Sequence, residues 1–88
     1  MKFKIEHEIR GRVRLHICQK RMTYMQADQM EYFLNQLDGV ISVKVMERTQ
    51  NVVICFAENR EAILKAVQNF AYDKVEVPDS YLQNSGRE

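Results

Sequence analysis

"KFKIEHEIRGRVRLHI" (residues 2–17) alternates apolar and charged side chains through two segments that meet at Arg10-Gly11. Phe3, Ile5 and Ile9 mark the first segment, and Val13, Leu15 and Ile17 mark the second. A period of two belongs to a strand with one buried face. The glycine between the segments admits two readings. As a bulge or kink it bends one long strand; as a turn it folds two strands into a hairpin. One strand bent at Gly11 is the expectation, and the hairpin is the alternative.

Beyond Cys18 the period changes. Met30, Phe33, Leu34 and Leu37 fall at i, i+3, i+4 and i+7, the stripe of an amphipathic helix over residues 23–38. Thr23 suits its N-cap and Gly39 its C-cap. Alternation returns in Ile41, Val43 and Val45, then in Val52, Ile54 and Phe56, and Thr49-Gln50-Asn51 turns one into the other. A second helix is predicted over 59–70, capped by Asn59 and striped by Ile63, Ala66, Val67 and Phe70. A last strand, Tyr72 to Val77, stops at Pro78, and residues 78–88 read as a linker or frayed tail. The order β-α-β-β-α-β predicts an α+β, ferredoxin-like βαββαβ sandwich over residues 1–77. Its antiparallel sheet would have order 4-1-3-2, with two helices on one face.

The 88 residues suffice for one small domain. MKFKIEHEIR has no apolar h-region, which argues against a secretory leader. No apolar run approaches the length of a membrane span. Cys18 and Cys55 are too few for a disulfide scaffold and read as cytosolic free thiols. Net charge is only +1 but uneven: residues 1–21 hold seven Lys/Arg against two Glu, and the remainder is acidic. Such asymmetry marks either an anion-facing surface or a solvated strand face.

"MEYFLNQLDGVISVKVMERTQNVVICF" (residues 30–56) resembles the heavy-metal-associated domain in the spacing from Glu31 to Gly39-Val40 and in the turn residue Thr49. Measured back from Glu31, the two metal cysteines of that family fall at Thr23 and Gln26, so its C-x-x-C chelate is missing. "IEHEIRGRVRLHI" (residues 5–17) is similar to a divergent branch without C-x-x-C, through Ile5, His7, Gly11, Arg12, Val13, Arg14 and Leu15. Arg10 stands where that branch often has proline. The resemblance implies a cytoplasmic, membrane-tethered amino-terminal domain of a cation-transporting P-type ATPase. Its implied role is regulation of metal transport by docking on the pump's other cytosolic domains.

Several residues carry candidate chemistry. His16 and Cys18 are two apart on a strand and share a side, and Met22 and Met25 follow in the loop. Imidazole, thiolate and thioether are ligands for soft transition-metal ions. A free-standing metal- or haem-binding protein is therefore the alternative function, since histidine is a common axial haem ligand; His7 is a motif residue near the apolar face. Arg10, Arg12 and Arg14 form the strongest charge feature and read as a docking surface. A basic nucleic-acid-binding module is the weaker alternative. RNA-binding domains of this architecture stack bases on aromatics of the central strands, whereas the outward positions here are Arg12, Arg14, His16, Val53 and Cys55. Without a positioned base beside a nucleophile, catalysis by this chain alone is not expected. A homodimer through the first strand is a further expectation, because an exposed strand can pair with a second copy.

Overall fold

The computed structural model describes residues 1–81. Arg10-Gly11 is a turn, so the opening stretch is a hairpin and not a kinked strand. β1 (Phe3–Ile9) and β2 (Arg12–Ile17) run antiparallel, with Phe3 opposite Ile17 and Ile9 opposite Arg12. Gly11 holds φ +81°, a conformation that glycine adopts without strain. The chain continues through α1 (Tyr24–Asn35), β3 (Val40–Met46), β4 (Asn51–Phe56) and α2 (Arg60–Gln68).

The four strands form one antiparallel sheet of order β1-β2-β4-β3. This corrects the predicted 4-1-3-2 order at one place. The three strands at 12–17, 51–56 and 40–46 lie side by side as expected, but the edge next to β2 is filled by Phe3–Ile9. Tyr72–Val77 is not a strand. Tyr72–Lys74 is a short 3-10 turn, and the Gln29 side chain on α1 donates to the Tyr72 and Val75 carbonyls at 2.9 and 3.1 Å. That segment is fastened to a helix, and β1 already satisfies the edge of β2. The result is α+β, with a four-stranded antiparallel sheet and two helices, compatible with a ferredoxin-like sandwich.

Val13, Leu15 and Ile17 of β2, Val52 and Ile54 of β4, and Val45 of β3 are buried with Met30, Leu34, Ile63 and Val67 of the two helices. One sheet face is thus covered by both helices. Residues of the other parity, Arg12, Arg14 and Lys44 among them, point to solvent. Two irregularities change the parity that simple alternation predicts. A register shift between Val40 and Ser42 leaves Ile41 69% exposed, although it reads as a core position. A second shift between Ile5 and His7 moves His7 and Ile9 to the open face, opposite Arg14 and Arg12.

Helix ends follow local chemistry. Thr23 caps α1 through a reciprocal box: its Oγ1 accepts from the Gln26 amide at 3.0 Å, and the Gln26 side chain accepts from the Thr23 amide at 3.1 Å. The helix stops at Asn35, with Gln36 as C-cap, so Gly39 is not its cap; at φ +88° it turns the chain into β3. Asn59 precedes α2 in a left-handed conformation, and its side chain donates to the Asp38 carbonyl instead of capping the helix.

Of the tail read over 78–88, residues 82–88 lie outside the described residues. Asp79–Tyr81 forms a second 3-10 turn that docks on α1, with Tyr81 edge-on to Tyr32 at 5.0 Å. The Tyr81 hydroxyl donates to Glu31 at 3.4 Å, and Asn35 donates to it. Glu31 is 8% exposed, and its burial raises the carboxyl pKa above the ordinary range, with Asp28 one helical turn away adding to the rise. A carboxyl raised by folding binds its proton more tightly in the native state, so its stabilising contribution is complete at low pH and is lost as pH rises through the native pKa. Glu31→Gln is expected to raise Tm at neutral pH and to leave it unchanged near pH ~3, well below the ordinary glutamate value, where the carboxyl is protonated in both states. Thermal melts of both proteins across this range check the slope. A parallel pair of curves would contradict it.

Candidate docking face and loop pocket

Three strands build the open face around Arg12 and Arg14. β2 projects both guanidinium groups to solvent because Val13 and Leu15 point inward. The β1 bulge brings His7 opposite Arg14, and these three residues surround a shallow depression of about 230 Å³. The Arg14 guanidinium lies 3.9 Å from Glu6, an exposed pair that leaves the arginine open to a partner. Arg10 is exposed in the hairpin turn beyond the Ile9–Arg12 pair and does not line the depression. The structure therefore brings Arg12, Arg14 and His7 together around it, without Arg10. Cys55 lies opposite Arg12 on β4, half-buried, as a free thiol.

The metal candidates are dispersed. The His16 ring nitrogen Nδ1 is 3.3 Å from the Asn51 side-chain oxygen, its cross-strand neighbour. Cys18 directs its thiol toward the His16 carbonyl at 4.0 Å. Met22 is buried in the core, whereas Met25 is 49% exposed on the first turn of α1. Among the described residues there is no group of three or more His, Cys, Asp or Glu side chains that could hold one ion. At the two positions that match the missing chelate, Thr23 and Gln26 are spent on capping α1. The residues around them do not fit a soft cation. Lys20, Arg21 and Arg48 line the adjoining pocket, and their charge opposes metal binding. Nor does the depression beside His7 fit haem, because its walls are arginines and not apolar side chains.

No known family, curated protein or solved structure matches this chain.

The pocket at the α1 loop was not read from the sequence. Its volume is about 430 Å³, and Lys20, Arg21, Thr23 and Tyr24 reach it from one side, Glu47 and Arg48 from the other. The basic pair Lys20-Arg21 is visible as such, but its meeting with Arg48 depends on the β2–β4–β3 pairing, which sets the β3–β4 turn beside the end of β2. The family-type residues Glu31 and Gly39 prove architectural: one is buried under Tyr81, and the other turns the chain into β3. No helix among the described residues is long and apolar enough to cross a membrane.

Proposed function

We propose that this chain is a regulatory docking domain of the heavy-metal-associated type without its chelate, serving as the amino-terminal cytosolic piece of a cation-transporting P-type ATPase. Its open sheet face meets acidic surface on the pump's other cytosolic domains, and its ferredoxin-like scaffold is tethered to the membrane through the rest of the pump. The observation that carries this reading is the bare, cationic sheet face: Arg12 and Arg14 are exposed side by side with His7, uncovered by either helix. Arginine forks suit carboxylates on a protein partner, and complementary charge sets orientation as well as encounter rate. The domain performs no chemistry in this reading. It shifts the pump's domain equilibrium by binding one arrangement better than another.

A photo-crosslinking residue at position 14, introduced in cells that produce the protein in its native context, tests this. Adducts are expected with the actuator or nucleotide-binding domain of a P-type ATPase, in the same polypeptide or another, and Arg12→Glu should abolish them. Adducts confined to nucleic acid or to proteins other than such pumps would overturn the reading.

A further inference from the structure

The pocket at the α1 loop has the charge and the rigidity of an anion site. Lys20 and Arg21 enter it from the loop between β2 and α1, and Arg48 enters from the β3–β4 turn. None of these three cations takes part in an ion pair among the described residues, although Glu47 lines the same pocket. Three positive charges against one carboxylate leave an excess of about two, which matches the charge of about −1.5 to −2 on a phosphate monoester near neutral pH. Two guanidinium forks and an ammonium supply donors with no acceptor of their own. The hydroxyl of Thr23 uses its oxygen to cap α1 and keeps its hydrogen to give. At about 430 Å³ the space is of small-molecule size.

The walls are held in place independently of any ligand. Gln50, at φ +60°, donates its side-chain amide to the Ile17 and Gln19 carbonyls at 2.8 and 2.7 Å, which ties the β3–β4 turn to the α1 loop. The Gln19 side chain donates to the Arg21 carbonyl and to Gln26, and accepts from the Tyr72 hydroxyl at 2.7 Å. These bonds fix the loop backbone that carries the three cations, so the ordering cost of binding falls on the Lys20, Arg21 and Arg48 side chains and not on the main chain.

We propose that the Lys20–Arg21–Arg48 pocket binds a phosphate monoester, either a free one or the headgroup of an anionic lipid. The site lies apart from the Arg12–Arg14 face, so its failure and that of the docking reading are separately visible. The test is a ¹H–¹⁵N NMR titration of the full chain with inorganic phosphate and with glycerol phosphate, at fixed ionic strength in chloride. Saturable shifts are expected in the amides of 20–24 and 47–50. Arg21→Gln combined with Arg48→Gln should weaken binding by about tenfold or more, as befits loss of charge-assisted hydrogen bonds. Arg12→Gln with Arg14→Gln should leave it unchanged, and both variants keep dispersed spectra because all four arginines are exposed. Vesicles of phosphatidic acid in phosphatidylcholine distinguish the sources. Tighter binding there than to glycerol phosphate, with the same arginine dependence, assigns a lipid headgroup, and no gain assigns a free ligand. Shifts that grow linearly without saturation, or equal losses in the two double variants, would overturn the site.

Discussion

Gly39→Ala is expected to remove about 3–4 kcal/mol of stability, combining left-handed backbone strain with overpacking. Gly39 holds φ +88°, which a residue with a side chain adopts only at a cost. There is also no space for a side chain. An added Cβ would press on the Glu58 carbonyl oxygen, with the carbonyl carbon at 3.0 Å. The neighbour cannot give way easily, because the backbone there is tied down where the Ala57 amide donates to the Gly39 carbonyl at 2.8 Å. Gly11→Ala is the internal comparison. Its φ of +81° is similar, but the nearest atom, the Phe56 carbonyl oxygen, is 3.3 Å from the added Cβ. There the expected cost is about 1–2 kcal/mol, mostly backbone. Urea unfolding of the three proteins, with similar m-values, reads both differences. Equal losses at the two glycines would show that the close approach of Glu58 is not as described.

Leu15→Ala should cost about 3 kcal/mol, within the usual range for a leucine emptied from a core. Leu15 is fully buried in the second strand of the sheet, between Ile5 on β1 and Val52 on β4. Rigid neighbours on both sides limit collapse into the vacated space. Such a loss is a large share of the ~5–15 kcal/mol that holds a small domain together. Ile5→Ala, on the strand alongside, is expected to cost about 1 kcal/mol or less, because Ile5 is 45% exposed at the sheet edge and its loss leaves no cavity. Chemical denaturation of both variants measures the contrast. Comparable losses would place Ile5 in the core and contradict β1 as an open edge.

Most of the inner fold was legible. The alternation of Val13, Leu15, Ile17 and of Val52, Ile54 identifies the two central strands, because one face of each is buried and a period of two follows directly. Thr23 reads as an N-cap from its chemistry alone, and the structure adds the Gln26 half of the box. The sheet edge was not legible. A glycine of positive φ serves a bulge or a turn equally well, so Gly11 alone does not choose between a kinked strand and a hairpin. The choice rests on which of residues 3–9 and 72–77 takes the edge of β2; residues 3–9 take it, and Gln29 holds Tyr72 and Val75 on the helix side through contacts 43 to 46 residues long. No local pattern encodes that. Bulges hid the faces of Ile41 and His7 in the same way, since one inserted residue inverts every side chain beyond it. Arg12 and Arg14 were legible as an exposed pair because they sit on a regular strand whose other face is buried. The Lys20, Arg21 and Arg48 pocket was not, because its cations lie on loops that only the strand register brings together.

The proposed docking role requires a scaffold that does not chelate, and native mass spectrometry of the reduced chain titrated with Cu(I) and Zn(II) tests that most directly. Run beside a His16→Ala/Cys18→Ala variant, the protein is expected to give only the non-specific adducts that the variant also gives. A one-to-one metal adduct that survives competition by a chelator and disappears in the variant would contradict the account.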